Sequence, residues 1–245
     1  MILGLVGGVG SGKSTVTKVL QSEYGFELLL TDDIAKKLER PGECCYEALT
    51  EAFGDTILQQ GYGSPIDNPK LAAKIYSDKT ALETVNGIVH PSVWRYVSEY
   101  INVAKLERGS AAAGITENES MPKSDEGGCS EAADGRKTRE SEGEAAVNDV
   151  RIAVETALPS EIFTELCDEI WYIYTDDEIR IKRLMADRGY SREKSLSVIA
   201  KQLSVADFKK YADILIDNSG ERAKTEEEVR KRLDEIFKSG KREQR

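Results

Sequence analysis

Eight residues near the start of the chain, Gly7-Gly8-Val9-Gly10-Ser11-Gly12-Lys13-Ser14, fit the pattern G-x-x-x-x-G-K-[ST] at every position. The chemistry this spacing serves is the capture of phosphate. Glycines let the backbone turn so that successive N–H groups point at one spot, and a helix starting there adds its partial positive charge. A lysine at the seventh position reaches the β- and γ-phosphates, and the hydroxyl after it can bind Mg²⁺. The alternative is a glycine-rich turn that matches by chance. The context argues against it, because the apolar run Ile2 to Val6 precedes the motif and the helix-compatible segment Thr15 to Tyr24 follows it. Binding of a nucleoside triphosphate is therefore expected.

A strand must deliver such a loop and a helix must carry it away, and the rest of the chain repeats that alternation. Gly25 suits a helix C-cap, and Phe26 to Leu30 reads as a second strand with Thr31-Asp32-Asp33 at its carboxyl end. A short helical segment, Ile34 to Glu39, stops at Arg40-Pro41-Gly42, and residues 43–107 read as largely helical with a turn-rich break at Gly61 to Pro65. Further strands are expected at Val150 to Val154, ending in Glu155, at Glu169 to Thr175, and at Ile214 to Asp217. Helices are expected between them, and a closing helix over Thr225 to Lys238 opens on a Thr225/Glu228 capping box. Strands alternating with helices predict an α/β fold, a parallel sheet with helices on both faces. The 245 residues are read as one domain, 1–245, carrying a helical substrate region and a lid.

Residues 109–149 break the pattern. They hold ten Asp or Glu against four Lys or Arg, a net of −6, and almost no large apolar side chains. Such a stretch cannot offset its ordering entropy by burial and is expected to be a disordered, acidic insert. Most of the formal net charge of −10 therefore lies outside the expected core. That charge argues against nucleic acid as a partner, while leaving room for a local basic pocket. A first strand running into a glycine-rich loop is no signal peptide, and no apolar run approaches the ~20 residues that span a bilayer, so a cytoplasmic location without a membrane partner is expected. Cys44, Cys45, Cys129 and Cys167 have no common zinc spacing, and His90 is the single histidine. Free thiols in a reducing compartment are expected.

Among the reactions such a loop supports, an N-K-x-D segment for guanine is missing, and no apolar strand ends in an Asp-Glu pair. A small-molecule kinase fits the chain better than a GTPase or a motor. Asp32 is the candidate acid: at the end of the second strand it could accept a hydroxyl proton or help hold Mg²⁺, or it could cap the helix that follows. Arg180-Ile181-Lys182-Arg183, with Arg188 and Arg192, is a candidate lid over 180–192, the alternative being a solvated helix face.

The order of these motifs resembles the dephospho-CoA kinase family. The resemblance runs from Leu5 to Thr15 through Thr31-Asp32-Asp33-Ile34-Ala35, Arg40-Pro41-Gly42 and His90-Pro91. It continues through Glu155-Thr156-Ala157-Leu158 with Glu161, Arg180 to Arg183, Arg188-Gly189-Tyr190-Ser191, Gln202-Leu203-Ser204, and Tyr211-Ala212-Asp213-Ile214 with Ile216 to Gly220. It covers nearly all of the chain outside the acidic insert. It implies transfer of the ATP γ-phosphate to the ribose 3′-hydroxyl of dephospho-CoA, giving CoA and ADP. It also implies that Gly10, Ser11, Gly12, Lys13, Ser14 and Thr15 hold the ATP phosphates, with Ser14 on Mg²⁺ and Lys13 neutralising charge. By the same resemblance Asp32 faces the acceptor hydroxyl, Arg183 and Arg188 fall in the lid, Asn218 lies near the adenine end, and His90 orients a turn. This chain departs from the family pattern at Leu30, where the family often has Asp, and at Ala157, Leu158 and Pro159. Another P-loop kinase, acting on a nucleoside monophosphate or a sugar, and a non-catalytic nucleotide-binding module are the alternative readings.

Overall fold

The computed structural model describes residues 1–112 and 150–240. In chain order they form β1 (Ile2–Val6), α1 (Lys13–Tyr24), β2 (Glu27–Leu30), α2 (Thr31–Leu38) and α3 (Cys44–Phe53). A 3-10 turn, Gly54–Ile57, leads to α4 (Asn68–Ser77) and the long α5 (Lys79–Ala112). After the gap come β3 (Ile152–Thr156), α6 (Glu161–Leu166), β4 (Glu169–Tyr174) and α7 (Asp177–Arg188). The chain closes with α8 (Arg192–Ala200), α9 (Val205–Tyr211), β5 (Ile214–Asp217) and α10 (Arg222–Gly240). Two compact units result, one from Met1–Leu30 with Arg151–Arg245, the other from Thr31–Val150.

The first unit is the expected parallel sheet, with strands in the order β2-β3-β1-β4-β5. Every neighbouring pair is parallel, with Leu5 registered on Glu155 of β3 and on Trp171 of β4. All five residues of the central β1 are buried, as a strand covered on both faces requires. Side chains alternate between the two faces. Leu3 and Leu5 enter one core with Val16, Val19 and Leu20 of α1, Trp171 and Ile173 of β4, and Val229 and Leu233 of α10. On the other face Gly4 lies under Phe163 of α6, and Tyr172 stacks on Phe208 of α9 with ring centroids 5.0 Å apart. The chain leaves β1 toward β2 and later returns across it to β4. That places a switch of direction beside the carboxyl end of β1, where open α/β sheets bind ligands.

One expectation at the carboxyl end is corrected. The closing helix begins at Arg222, so Thr225 is an interior residue and not a cap. Its hydroxyl is buried and donates to Asn218 Oδ1 at 3.0 Å. A buried partner outweighs the local preference of threonine for a helix start.

The second unit is helical. Val85, Val89, Val93, Val97 and Ile101 form one buried face of α5, and α2, α3 and α4 pack against that helix. Ile34 and Leu38 of α2, Tyr46 and Leu49 of α3 and Leu71 of α4 are among the buried residues they bring. The turn-rich break near 61–65 is closed by a bridge between Leu58 and Ile66, and Tyr46 Oη donates to Ser64 O at 2.9 Å and accepts from Gly63 N at 2.8 Å. A following proline makes a mid-helix place uncomfortable for His90, yet Pro91 sits inside the 34-residue α5 with His90 exposed on the surface. The apolar face on both sides of it outweighs the ~3 kcal/mol that an interior proline costs. The helix also runs four residues into the span assigned to the acidic insert; the remainder, 113–149, lies outside the described residues.

Cys45 and Cys167 are free thiols, as expected, whereas Cys44 is disulfide-bonded, against that expectation. Burial pushes the Cys167 thiol up to about 12, so it is inert near neutrality. Among the described residues no helix is long and apolar enough to cross a membrane.

Gly4 gives a test of the packing under α6. A methyl group there would lie 2.6 Å from Phe163 Cζ and 2.9 Å from both Cys167 Sγ and Ile170 Cγ1. Overpacking of this kind costs ~1–3 kcal/mol, so Gly4→Ala is expected to lower the urea midpoint without changing the m-value. An unchanged midpoint would show that α6 yields freely.

Candidate active site

The loop between β1 and α1 is shaped by glycines for two separate reasons. Gly10 and Gly12 adopt φ of +81° and +79°, a region that disfavours side chains. Gly8 and Gly12 also admit no Cβ, because the Arg180 and Gln202 side chains crowd the first and the Asn218 amide the second. Gly12 is the N-cap of α1 and offers no side chain to its first turn, which carries no acidic residue either. The amides of Gly10, Gly12 and Ser14 have no acceptor among the described residues. They are open donors at the positive end of a 12-residue helix.

The carbonyl groups of the same loop are all engaged from behind. Lys13 Nζ donates to Gly7 O at 2.8 Å, and Ser11 N to Gly8 O at 3.1 Å. Arg180 Nε donates to Val9 O at 3.0 Å, and Arg183 Nη1 to Gly10 O at 3.3 Å. Ser11 O accepts from Thr175 Oγ1 at 2.9 Å and from Asn218 Nδ2 at 2.8 Å, and Gly12 O accepts from Thr15 N at 2.9 Å. Gln202 completes the support: its Oε1 accepts from Val9 N at 3.1 Å and from Arg180 Nη2. Asn218 is buried and satisfied at both ends of its amide, since Thr225 occupies its Oδ1. Arg183 Nη2 further donates to Asn218 O at 2.8 Å, tying the end of β5 to α7.

The predicted residues therefore separate by position. Gly10 to Thr15 form the cradle and the first turn of α1, with Ser14 exposed and its hydroxyl without a partner among the described residues. Ser11 Oγ, by contrast, is buried without a hydrogen-bond partner among the described residues. Lys13 lies against the loop and stands 3.5 Å from Glu155 Oε1. Arg183 and Asn218 hold loop carbonyls. Arg188, the last residue of α7, is exposed and makes no hydrogen bond or ion pair among the described residues, while Arg192 pairs with Glu178 through two bonds of 2.9 and 2.6 Å. Asp32 is exposed in the first turn of α2, in the second unit. Because α2 begins at Thr31, Asp32 sits within the helix and not before it.

Thr175, Gln202 as a loop support, and Glu155 as the partner of Lys13 were not assigned from the sequence. Glu155 had a signal, a carboxylate at the carboxyl end of the apolar run Ile152 to Val154. Thr175 and Gln202 had none, since their partners lie 164 and 193 residues away.

A family model described as dephospho-CoA kinase matches residues 1–112 and 137–224. The chain belongs to the dephospho-CoA kinase family. The stretch between the two matched segments, 113–136, falls within the acidic span that the sequence sets apart. Among curated relatives, the dephospho-CoA kinase of Carboxydothermus hydrogenoformans is 31% identical over 93% of this chain and 90% of its own. That of Geobacillus kaustophilus is 31% identical over 97% and 96%. Two solved structures share the fold: TT1252 from Thermus thermophilus, with a TM-score of 0.63 at 21% identity over 98% of this chain and 97% of its own, and a dephospho-CoA kinase from Campylobacter jejuni, with 0.61 at 20% over 98% of both.

In this dephospho-CoA kinase family member the loop supports should be measurable apart from chemistry. Asn218→Ala leaves Ser11 O with one donor and the Thr225 hydroxyl with only the long bond to Asp217 O at 3.4 Å, which should cost ~1–3 kcal/mol of stability. Affinity for a non-transferable ATP analogue should fall with it. Weakened stability with unchanged affinity would show that the cradle keeps its shape without this amide.

Proposed function

We propose that this enzyme phosphorylates the ribose 3′-hydroxyl of dephospho-CoA with ATP, giving CoA and ADP, the last step of coenzyme A biosynthesis, in the cytoplasm. The observation that carries the reading is the loop whose carbonyls are all engaged and whose amides at Gly10, Gly12 and Ser14 stay open, in a chain of this family. Such an arrangement is preorganised for phosphate oxygens and does not have to reorganise as charge develops. Lys13, at the first position of α1, is the cation within the cradle. In this reading it turns from Gly7 O and Glu155 to the transferred phosphate.

The reaction needs a bond from the 3′-oxygen to the γ-phosphorus as the bond from that phosphorus to the β,γ-bridging oxygen breaks, and it needs an acceptor for the hydroxyl proton. Asp32 is proposed as that acceptor; it is exposed, in the first turn of α2. Arg183 is proposed to act through the loop it supports. Arg188 is the proposed lid contact of the 180–192 span, since its guanidinium is uncommitted among the described residues. Residues 43–107 are proposed to receive the acceptor.

The donor set also suits Mg²⁺. The exposed Ser14 hydroxyl and the Glu155 carboxylate, which stands 3.5 Å from Lys13 Nζ, are hard oxygen groups of the kind this ion takes. When bound it would neutralise charge on the β- and γ-phosphate oxygens. Ser14 is the residue proposed to hold it.

Two measurements test this. Production of ADP from Mg-ATP should depend on dephospho-CoA, and mass spectrometry should find an acceptor heavier by one phosphate. Production that is independent of dephospho-CoA, or that appears with a nucleoside monophosphate instead, would overturn the assignment. Lys13→Ala should lower kcat by ~10²–10³ with the fold intact. Asp32→Asn should lower kcat by ~10²–10⁴ while ATP affinity holds, the pattern of a lost base; unchanged turnover would leave Asp32 a first-turn helix residue only.

A further inference from the structure

Glu155 stands where an anion is least expected. It lies one residue from the end of β3, directly beside the strand that feeds the loop, with Leu5 of β1 in register with it. Its Oε1 is 3.5 Å from Lys13 Nζ, with the two side chains only 12% and 27% exposed in the order lysine, glutamate. Lys13 therefore carries a counter-charge before any phosphate arrives. The other guanidinium groups at the loop do not offset this carboxylate. Arg180 is bonded to Val9 O, Asp177 and Gln202, and Arg183 to Gly10 O, Thr175 and Asn218 O.

A triphosphate that draws Lys13 away would leave Glu155 as an unpaired, partly buried anion facing further negative charge. Like charges at short range in a partly desolvated site oppose binding strongly. A cation lying between carboxylate and phosphate removes the conflict, and a divalent one with oxygen ligands suits both groups. The resting ion pair and this demand for a cation come from the same carboxylate.

We propose that Glu155 makes nucleotide binding conditional on a divalent cation: it holds Lys13 against the loop when phosphate is absent and, once Lys13 is drawn to phosphate, disfavours any nucleotide that arrives without its metal. The proposal rests on the reading of the loop as the ATP site. Asp-Glu at the end of an apolar strand is missing from this chain, and the single carboxylate Glu155 supplies the acid at the equivalent end of β3. The consequence for the enzyme is selectivity. Free ATP, a competitor for Mg-ATP, is turned away by charge and not by shape.

The test is a binding experiment and needs no turnover. The full chain and Glu155→Gln are titrated calorimetrically with adenylyl imidodiphosphate, once in excess EDTA and once in Mg²⁺. In the unaltered protein Mg²⁺ should tighten binding by ~10-fold or more, a coupling of ordinary size between two ligands. In Glu155→Gln the metal-free analogue should bind several-fold tighter than in the unaltered protein, and the gain from Mg²⁺ should shrink to about threefold or less. Glu155→Asp keeps the charge and should keep most of the gain. If Glu155→Gln does not fold, as thermal melting would show, Glu155→Ala takes its place in the same comparison. An equal Mg²⁺ factor in the unaltered and neutral variants overturns the proposal and leaves the ATP site standing, as does weaker binding by Glu155→Gln in EDTA. A purely structural role predicts the latter, equal loss in both media. No binding of the analogue to any variant in either medium overturns the site reading, and the proposal with it.

Discussion

A loop can turn its N–H groups outward toward phosphate only if its carbonyl groups find donors inside. That constraint organises the first unit. Each carbonyl from Gly7 through Gly12 has a donor, and most of these donors come from far along the chain. Buried carbonyls without partners are expensive, so the peptide planes are held in one orientation from behind, and the amides are fixed as a consequence. The glycines follow from the same requirement. At Gly8 and Gly12 the supporting side chains approach the backbone where a Cβ would stand.

Much of the carboxyl-terminal third of the chain makes sense in these terms. β4 ends at Tyr174, which places Thr175 under Ser11; β5 ends at Asp217, which places Asn218 beside it. Register between β4 and β5 pairs Tyr174 with Asp217, so the two supports arrive at the same level of the sheet. α7 then contributes Arg180 and Arg183, three residues apart and therefore on one helical face, to successive loop carbonyls. Two arginines of the candidate lid, Arg180 and Arg183, hold the loop. Their positive charge thus acts on the loop through its peptide carbonyls.

How much of this could be read from the sequence depended on the range of the interaction. The loop motif, the strands and their alternation with helices are local patterns, and the parallel sheet follows from them. Thr225 shows where local reading fails: threonine followed three residues later by glutamate has the form of a capping box, but the hydroxyl is engaged by Asn218 inside the fold. Pro91 fails for the opposite reason. Its local penalty is real, and the buried valine face of α5 outweighs it. The supports of the loop were invisible as a class, since a glutamine 193 residues from its partner leaves no pattern in a single chain. Asn218 and Arg183 were marked as important by resemblance, but what they touch could come only from the structure.

Glu155 and Lys13 divide the remaining electrostatics. With the loop carbonyls taken and Arg180 and Arg183 engaged, Lys13 and Glu155 form an ion pair that lies against the loop. A long, flexible ammonium can exchange one oxygen partner for another at little geometric cost, which a forked guanidinium held by several bonds cannot. Lysine at this position therefore suits a group that must leave a protein carboxylate for a phosphate, and arginine suits the positions behind the loop that must not move. The division of the two cation types follows from whether the partner is exchanged or kept, and in this chain the positions of Lys13, Arg180 and Arg183 obey it throughout.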